Sequence, residues 1–201
     1  MELREEFGDI DIYLFDQLLK GRLNPAMSIL DAGCGNGRNL IHFLRQGYTT
    51  FAIDADARAV HYVQELAARL APSLAPENFL VAEVTALPFA DEQFDVVISS
   101  AVLHFAKDES HFNRMVDEMW RVLKPCGMFF ARLASSIGIA DRITPISERR
   151  YWLPDGSQRF LVDEAMLHSA SQRLQGNWLE PLKTTNVENL RCMTTWVLKK
   201  S

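Results

Sequence analysis

The sequence predicts an α/β protein built on a doubly wound, mostly parallel sheet. Five apolar, β-rich runs alternate with helical patterns along the chain, and two further β-rich segments follow at its end. Alternating strands and helices favour a parallel sheet, because right-handed crossovers place helices on both of its faces. With 201 residues, no internal repeat and no linker-like composition, residues 1–201 are expected to form a single domain.

The first elements follow from the spacing of apolar residues and from the turn residues between them. An amphipathic helix is predicted over residues 11–20, inside an N-terminal helical cap that covers residues 1–24. A strand over 28–32 then leads through a glycine-rich turn into a helix over 39–46.

The next elements repeat this alternation. A β-rich run that ends at Asp54 precedes a helix over 56–70, whose apolar residues recur at helical spacing. Strands are predicted over 78–84 and 94–100. Both are continuously apolar, as expected for strands that are covered on both faces.

The second half of the chain is less regular. A helix is predicted from Glu109 and is stopped by residues 124–127, and a fifth strand follows over 128–134. Between 135 and 160 the hydrophobic period disappears, which predicts a partly ordered excursion. The last predicted elements are a helix over 163–176 and two strands over 177–187 and 191–200, joined by Glu188 and Asn189 into an antiparallel hairpin.

Composition excludes several classes of protein. The formal net charge of −5 argues against a dedicated nucleic-acid surface, since phosphate binding normally needs clustered lysines and arginines. The three cysteines lack the spacing of a zinc site or a disulfide framework, so no metal is predicted. The N-terminus resembles neither a signal peptide nor a transit peptide, and no apolar run is long enough to span a bilayer. A cytoplasmic monomer or homodimer without a membrane partner is expected.

The glycine-rich turn in "ILDAGCGNGR", residues 29–38, predicts a nucleotide-like ligand. Gly33, Gly35 and Gly37 form G-x-G-x-G, whereas a dinucleotide fingerprint needs G-x-G-x-x-G and a P-loop ends in GK[ST]. Asp31 lies two residues before the first glycine, where it would repel a pyrophosphate at the helix N-terminus. The same carboxylate suits a ligand with a cationic head.

Two further acidic residues follow the next strands. Asp54 lies about twenty residues after the glycines, a spacing that fits a carboxylate accepting both hydroxyls of a ribose. Glu83 is placed to accept from an adenine amino group while the amide of Val84 donates to the ring. Dinucleotide sites also use an acid like Asp54, and an exposed glutamate at a strand end is common. Together with Asp31, these acids favour S-adenosylmethionine as the cofactor.

The chain resembles the class I S-adenosylmethionine-dependent methyltransferases, in particular the small single-domain type related to quinone-biosynthesis and tellurite-resistance methyltransferases. The motifs "LDAGCGNGR", "AIDAD", "AEVTALPFADEQFDVVISSAVLHF" and "EMWRVLKPCGMFFA" carry this resemblance over residues 28–132. It implies a Rossmann-like sheet of seven strands with an antiparallel last strand. It also implies methyl transfer from S-adenosylmethionine to a small molecule, with release of S-adenosylhomocysteine.

The motifs also imply which residues bind the cofactor. They are Asp31, Gly33, Gly35, Arg38, Asp54, Ala55, Glu83, Val84, Ser99 and Ala101. Ser99 and Ala101 are small enough to keep the methyl-donor site open, although small residues also simply pack. The chain departs from the family pattern at Glu83, where aspartate is usual, and at Phe105, which replaces the second histidine of an LHH run and leaves His104 alone there.

Catalysis of methyl transfer needs alignment, desolvation and sometimes a base. His104 follows the fourth strand and is the candidate base, the alternative being a histidine that only packs on the cofactor.

The acceptor site is expected between two segments of the chain. Residues 135–162 combine arginines with aromatic residues and would form an acceptor-site insertion, in which Arg149 and Tyr151 are the candidate substrate contacts. A solvated basic loop is the alternative. Tyr13, from the N-terminal cap, is placed over the methionine end of the cofactor.

These observations predict an S-adenosylmethionine-dependent methyltransferase that acts on a small-molecule acceptor of unidentified structure. Two alternatives stay open. One is a protein that binds S-adenosylmethionine without transferring a methyl group, as a sensor or scaffold, and the other is a nicotinamide-dependent oxidoreductase. The fourth strand lacks the Asn/Asp-Pro-Pro-Tyr/Phe ending typical of enzymes that methylate planar amino groups.

Overall fold

The structure, a computed structural model, describes residues 3–201. The helices are α1 (Leu3–Phe7), α2 (Ile12–Leu19), α3 (Ile41–Arg45), α4 (Ala57–Leu70), α5 (Glu109–Val122) and α6 (Glu164–Arg173). The strands are β1 (Ser28–Ala32), β2 (Thr49–Asp54), β3 (Phe79–Val81), β4 (Phe94–Ser100), β5 (Leu123–Ser135), β6 (Thr144–Ser147), β7 (Arg150–Trp152), β8 (Gln158–Phe160), β9 (Asn177–Trp178), β10 (Lys183–Val187) and β11 (Arg191–Lys199).

The main sheet has the strand order β10-β11-β5-β4-β1-β2-β3. Strands β1 to β5 pair in parallel, β11 is antiparallel to β5, and β10 is antiparallel to β11. The short strand β9 pairs with the end of β11. The prediction of a Rossmann-like, mostly parallel sheet of seven strands with an antiparallel last strand is confirmed. The strand order reverses at β1, and in such sheets a crevice opens beyond the carboxyl ends of the strands at this point.

Apolar residues cover both faces of the main sheet. On one face, Phe112 and Met119 of α5 pack with Phe129 of β5 in the largest hydrophobic cluster. On the other face, Leu14 of α2 packs with Phe43 of α3 and the neighbouring strands. The helices therefore hold the strand ends in place from both sides.

Several predicted boundaries differ from the structure. The strand predicted over 177–187 is divided into β9 and β10, and α6 ends at Arg173 rather than at 176. Strand β3 ends at Val81, so Glu83 and Val84 lie in the loop after it rather than in the strand. Helix α5 ends at Val122 and β5 starts at once with Leu123, which is buried and lies opposite Phe94 of β4 in the sheet. The residues at 124–127 therefore belong to the strand and do not terminate the helix. Helix α1 lies within the segment for which the sequence predicts a helical cap, but no separate helix is predicted there.

The prediction of a partly ordered excursion over 135–160 is wrong. Strands β6, β7 and β8 form a three-stranded antiparallel sheet in this segment. Leu153 and Leu161 are buried against Ala134 of β5, which attaches the small sheet to the main one. Strands of three or four residues are too short to show a hydrophobic period in the sequence. None of the helices within residues 3–201 combines the length and the apolar character that crossing a membrane requires.

Candidate functional site

A cleft of about 1310 Å³ lies beyond the carboxyl ends of β1, β2 and β4, where the strand order reverses. Its walls include the glycine turn at 33–36, the end of β2 at 54–55, the loop at 82–85 and residues 100–102 after β4. Arg4 and the loop at 8–9, from the N-terminal segment, line the same cleft. This is the position at which doubly wound sheets bind their ligands.

The glycine turn is built so tightly that position 33 accepts no side chain. Gly33 has a φ of +88°, and a Cβ there would lie 2.4 Å from Cγ2 of Val102. The backbone amides of Gly33 and Cys34 both donate to the carbonyl oxygen of Ile53, at 2.8 and 2.9 Å. Gly35, which also has a positive φ, faces open space, since no atom lies within 4 Å of the point that a Cβ would occupy. A ligand can therefore approach the backbone of the turn closely.

Asp31, at the end of β1, is a buried carboxyl group without a partner. Its exposed fraction is 1%, and neither oxygen has a hydrogen-bond partner among residues 3–201. Burial raises the pKa of this group to about 7, the charge of Arg38 opposes that rise, and the charge of Asp54 adds to it. Buried polar groups are usually paired, so such a carboxyl group indicates a ligand that carries a donor or a positive charge.

Asp54 is held in the cleft by two backbone amides. Its Oδ2 accepts from the amide of Gly35 at 2.8 Å, and its Oδ1 accepts from the amide of Asp56 at 2.9 Å. A carboxylate has about four acceptor positions, so this arrangement leaves lone pairs for further donors. The position suits the two hydroxyls of a ribose.

The remaining candidate cofactor residues differ in their placement. Ala55, Glu83, Val84 and Ala101 all line the cleft. Ser99 and Asp31 are not among its lining residues: Asp31 is buried behind the glycine turn, and Ser99 is fully buried within β4, so that the next residue, Ser100, lines the cleft. Side chains alternate along a strand, so the small polar residue expected at 99 is supplied one position later.

A buried polar cluster behind the cleft was missed in the sequence. Asp11 Oδ2 accepts from Nη1 of Arg132 at 3.0 Å and from Nη2 of Arg38 at 3.4 Å. Arg38 also donates to the hydroxyl of Ser100 at 2.8 Å, and the amide of Asp11 donates to the side chain of Asn39 at 3.0 Å. The cluster ties the start of α2 to the ends of β4 and β5. Two features of the sequence could have indicated this cluster: Arg132 interrupts the apolar run of β5, and Asp11 stands at the N-cap of α2.

A second, smaller cavity of about 400 Å³, which we call the side cavity, shares Arg38, Ala101 and Phe105 with the cleft. It lies between the main sheet and the small sheet. Its other lining residues are His104, Arg132, Ala134, Leu153, Asp155, Ser157, Arg159, Val187, Arg191 and Met193. The shared residues show that the side cavity adjoins the cleft.

His104 lines the side cavity as a neutral imidazole. It is 6% exposed, and its Nδ1 accepts from the amide of Ala134 at 3.3 Å. Burial, together with the charge of Arg159, lowers the pKa of His104 to about 4. With Nδ1 accepting, the proton of the neutral ring is assigned to Nε2, so the side chain is a hydrogen-bond donor and a weak base.

The three candidate substrate residues lie outside both cavities. The hydroxyl of Tyr13 hydrogen-bonds the hydroxyl of Thr185 at 2.8 Å, and its ring packs under Arg132. The guanidinium of Arg149 is bound by two carboxylates, those of Glu109 and Asp163. Tyr151 packs against the cluster that attaches the small sheet. These side chains are already used in holding elements together, whereas Arg159 of the same segment does line the side cavity.

The described residues contain no group of three or more histidine, cysteine, aspartate or glutamate side chains arranged to hold a metal ion. The fold and the placement of the cleft are those of class I S-adenosylmethionine-dependent methyltransferases. The family model described as a methyltransferase domain matches residues 30–131, just over half of the chain, and the chain belongs to this family.

Several known proteins are similar to the chain. An uncharacterised protein of Mycobacterium tuberculosis is 30% identical over 125 residues, which are 57% of this chain and 43% of that protein. A tRNA (carboxymethyluridine(34)-5-O)-methyltransferase of Arabidopsis thaliana is 31% identical over 135 residues, 64% of this chain and 31% of that protein. The chain thus spans less than half the length of these relatives.

A solved structure has a similar fold. It is the Burkholderia thailandensis 1,6-didemethyltoxoflavin-N1-methyltransferase with bound 1,6-didemethyltoxoflavin and S-adenosylhomocysteine. The TM-score is 0.72 at 18% identity, covering 96% of this chain and 80% of that chain. At this identity the likeness shows the fold alone.

Proposed function

We propose that the chain binds S-adenosylmethionine in the cleft and catalyses methyl transfer to a small molecule. The observation that carries this proposal is Asp31, a buried carboxyl group without a partner beside a glycine turn. Such a group favours a ligand with a cationic amino-acid head and disfavours a diphosphate. Membership of the methyltransferase domain family supports the same conclusion.

The residues that line the cleft fit this cofactor in three parts. Gly35 allows close backbone approach at the amino-acid end, Asp54 suits the ribose, and the loop at 82–85 suits the adenine. Gly33 keeps the turn tight against Val102. Bound S-adenosylmethionine would supply a methyl group attached to a positively charged sulfur. An electron pair of the acceptor would form the new bond to the methyl carbon while the sulfur–methyl bond breaks, and the sulfur would keep that electron pair as the thioether of S-adenosylhomocysteine.

The chain's own contribution is alignment and exclusion of water. We assign the N-terminal segment as the cap, because its residues Arg4, Gly8 and Asp9 line one side of the cleft. Residues 135–162 form the acceptor wall, through their contribution to the side cavity. Burial lowers the pKa of His104 to about 4, so we do not propose this residue as a general base.

The size of the side cavity and the net charge of −5 support a small acceptor. The acceptors named for similar proteins differ widely, from a tRNA to a small heterocycle, so these names do not identify the class of acceptor that this chain methylates.

Calorimetric titration tests cofactor binding directly. We expect S-adenosylmethionine and S-adenosylhomocysteine to bind the folded chain, and reduced nicotinamide dinucleotide not to bind. Asp54→Asn is expected to weaken binding of S-adenosylhomocysteine at least about tenfold, because charge-assisted hydrogen bonds are lost. Asp56→Asn is the matched control, since Asp56 caps α4 and does not line the cleft.

Folded chain that binds neither form of the cofactor would contradict the proposal. Release of S-adenosylhomocysteine on incubation with a metabolite extract separates an enzyme from a sensor or scaffold, which would bind without turnover.

A further inference from the structure

The side cavity is strongly cationic for an acidic chain. Four guanidinium groups line it, those of Arg38, Arg132, Arg159 and Arg191, whereas Asp155 is its one lining carboxylate among the described residues. The formal net charge of the whole chain is −5. A positive cavity in such a chain raises the local concentration of anions and favours their binding.

Protein carboxylates neutralise these arginines unequally. Arg132 and Arg38 share the buried carboxylate of Asp11, and Arg191 lies 3.6 Å from the carboxylate of Asp155. Arg159 forms no ion pair within residues 3–201. Its Nη1 donates to the carbonyl oxygen of Gln158 at 2.7 Å.

Arg159 is also held in position by an aromatic ring. Its guanidinium lies 5.1 Å from the ring centroid of Phe105, which belongs to both the cleft and the side cavity. Stacking of this kind orders the guanidinium while leaving donors free at its edge. An ordered arginine with no carboxylate within ion-pair distance is suited to bidentate binding of an external carboxylate, although Asp155 lies near enough to feel the charge of Arg159.

The rest of the cavity wall fits an organic anion rather than an inorganic one. Ala134, Leu153, Val187 and Met193 supply apolar surface beside the arginines. His104 adds a neutral donor, because its Nδ1 is occupied by a backbone amide. A wall with apolar side chains and a few convergent donors is typical of small-molecule sites.

We propose that the methyl acceptor is a small organic carboxylate, whose ionised group binds Arg159 in the side cavity while its apolar part contacts Leu153 and Met193. This inference rests on the proposed function and names the substrate class of the same site. It assigns Arg159 as a substrate-binding residue.

Binding of simple carboxylates tests the inference without requiring turnover. Chain saturated with S-adenosylhomocysteine is titrated by calorimetry with benzoate, phenylacetate, hexanoate and succinate, and with the amide of each acid. We expect at least one acid to bind at least about tenfold more tightly than its amide, since the charge-assisted pair with a guanidinium is absent from the amide.

Two variants locate the binding site. Arg159→Gln is expected to abolish the preference for the acid, while the affinity for S-adenosylhomocysteine and the melting temperature remain those of the unmodified chain. Arg142→Gln is the matched control, because Arg142 is exposed, lies in the same segment and lines neither cavity. It should keep the preference.

The outcomes separate the two proposals. If S-adenosylhomocysteine binds but no acid is preferred over its amide, or if Arg159→Gln keeps the preference, the carboxylate inference is overturned and the proposed function stands. If S-adenosylhomocysteine does not bind the folded chain, the proposed function itself fails.

Discussion

Asp31→Asn should stabilise the ligand-free protein at alkaline pH, although it removes a residue of the proposed cofactor site. Burial raises the pKa of Asp31 from 3.8 to about 7 in the folded chain. At a pH between these two pKa values, Asp31 has released its proton in the unfolded chain but still holds it in the folded chain. Stability therefore falls as pH rises through this window, which is the opposite of the usual behaviour of a salt-bridged aspartate.

The size of the effect follows from the shift. A difference of about three pKa units corresponds to about 4 kcal/mol of lost stability at pH 8. Asparagine removes this cost but leaves a buried amide without partners, which costs about 1–3 kcal/mol. The net gain at pH 8 is about 1–3 kcal/mol, or a rise of roughly 3–8 °C in melting temperature for a domain of this size. Between pH 5 and pH 8 the unmodified chain loses about 3 kcal/mol through Asp31, and the variant does not.

Thermal and urea unfolding of both proteins at pH 5 and pH 8, without ligand, measure this difference. Calorimetry on the same samples should show that Asp31→Asn binds S-adenosylmethionine about tenfold more weakly, because the partner for its cationic group is lost. A variant that is destabilised at pH 8, or that keeps the pH dependence of the unmodified chain, would refute the reasoning about Asp31.

Three further predictions test other parts of the site. Gly33→Ala should lower the free energy of unfolding by about 2–4 kcal/mol, because of its positive φ and the overlap with Val102; in urea unfolding, Val102→Ala should recover part of the loss, and a strictly additive double variant would contradict the contact. The imidazole of His104 should remain neutral down to about pH 5 when followed by NMR, since burial lowers its pKa to about 4; a transition near pH 6.5 would count against this environment. Asp11→Asn should lower the free energy of unfolding, measured in urea, by about 2–4 kcal/mol, because it leaves the guanidinium of Arg132 without its charged partner. A decrease below about 0.5 kcal/mol would show that the buried cluster does not hold α2 in place.

Local patterns in the sequence predicted the strands that lead into the cleft well. The bounds predicted for β1 and β4 match the structure, because continuous apolar runs between turn residues leave little choice of strand. The glycine turn and Asp54 each directly follow a strand that is visible in the sequence. Because β1 and β2 are neighbouring parallel strands, their ends lie at the same edge of the sheet.

The side cavity and the polar cluster beside it depend on contacts that no local pattern contains. Asp11 and Arg132 are 121 residues apart and meet only in the folded chain. Arg149, Arg150 and Arg159 look equivalent in the sequence. The small sheet directs Arg149 to carboxylates and Arg150 to a backbone carbonyl, and it directs only Arg159 of the three into the side cavity.

A crystal structure of the chain with S-adenosylhomocysteine tests the central claim most directly. We expect the amino group of the ligand near Asp31, the ribose hydroxyls on Asp54, the adenine beside Val84 and the sulfur facing Ala101. A ligand bound outside the cleft, or oriented with its adenine at the glycine turn, would contradict this assignment of the cleft.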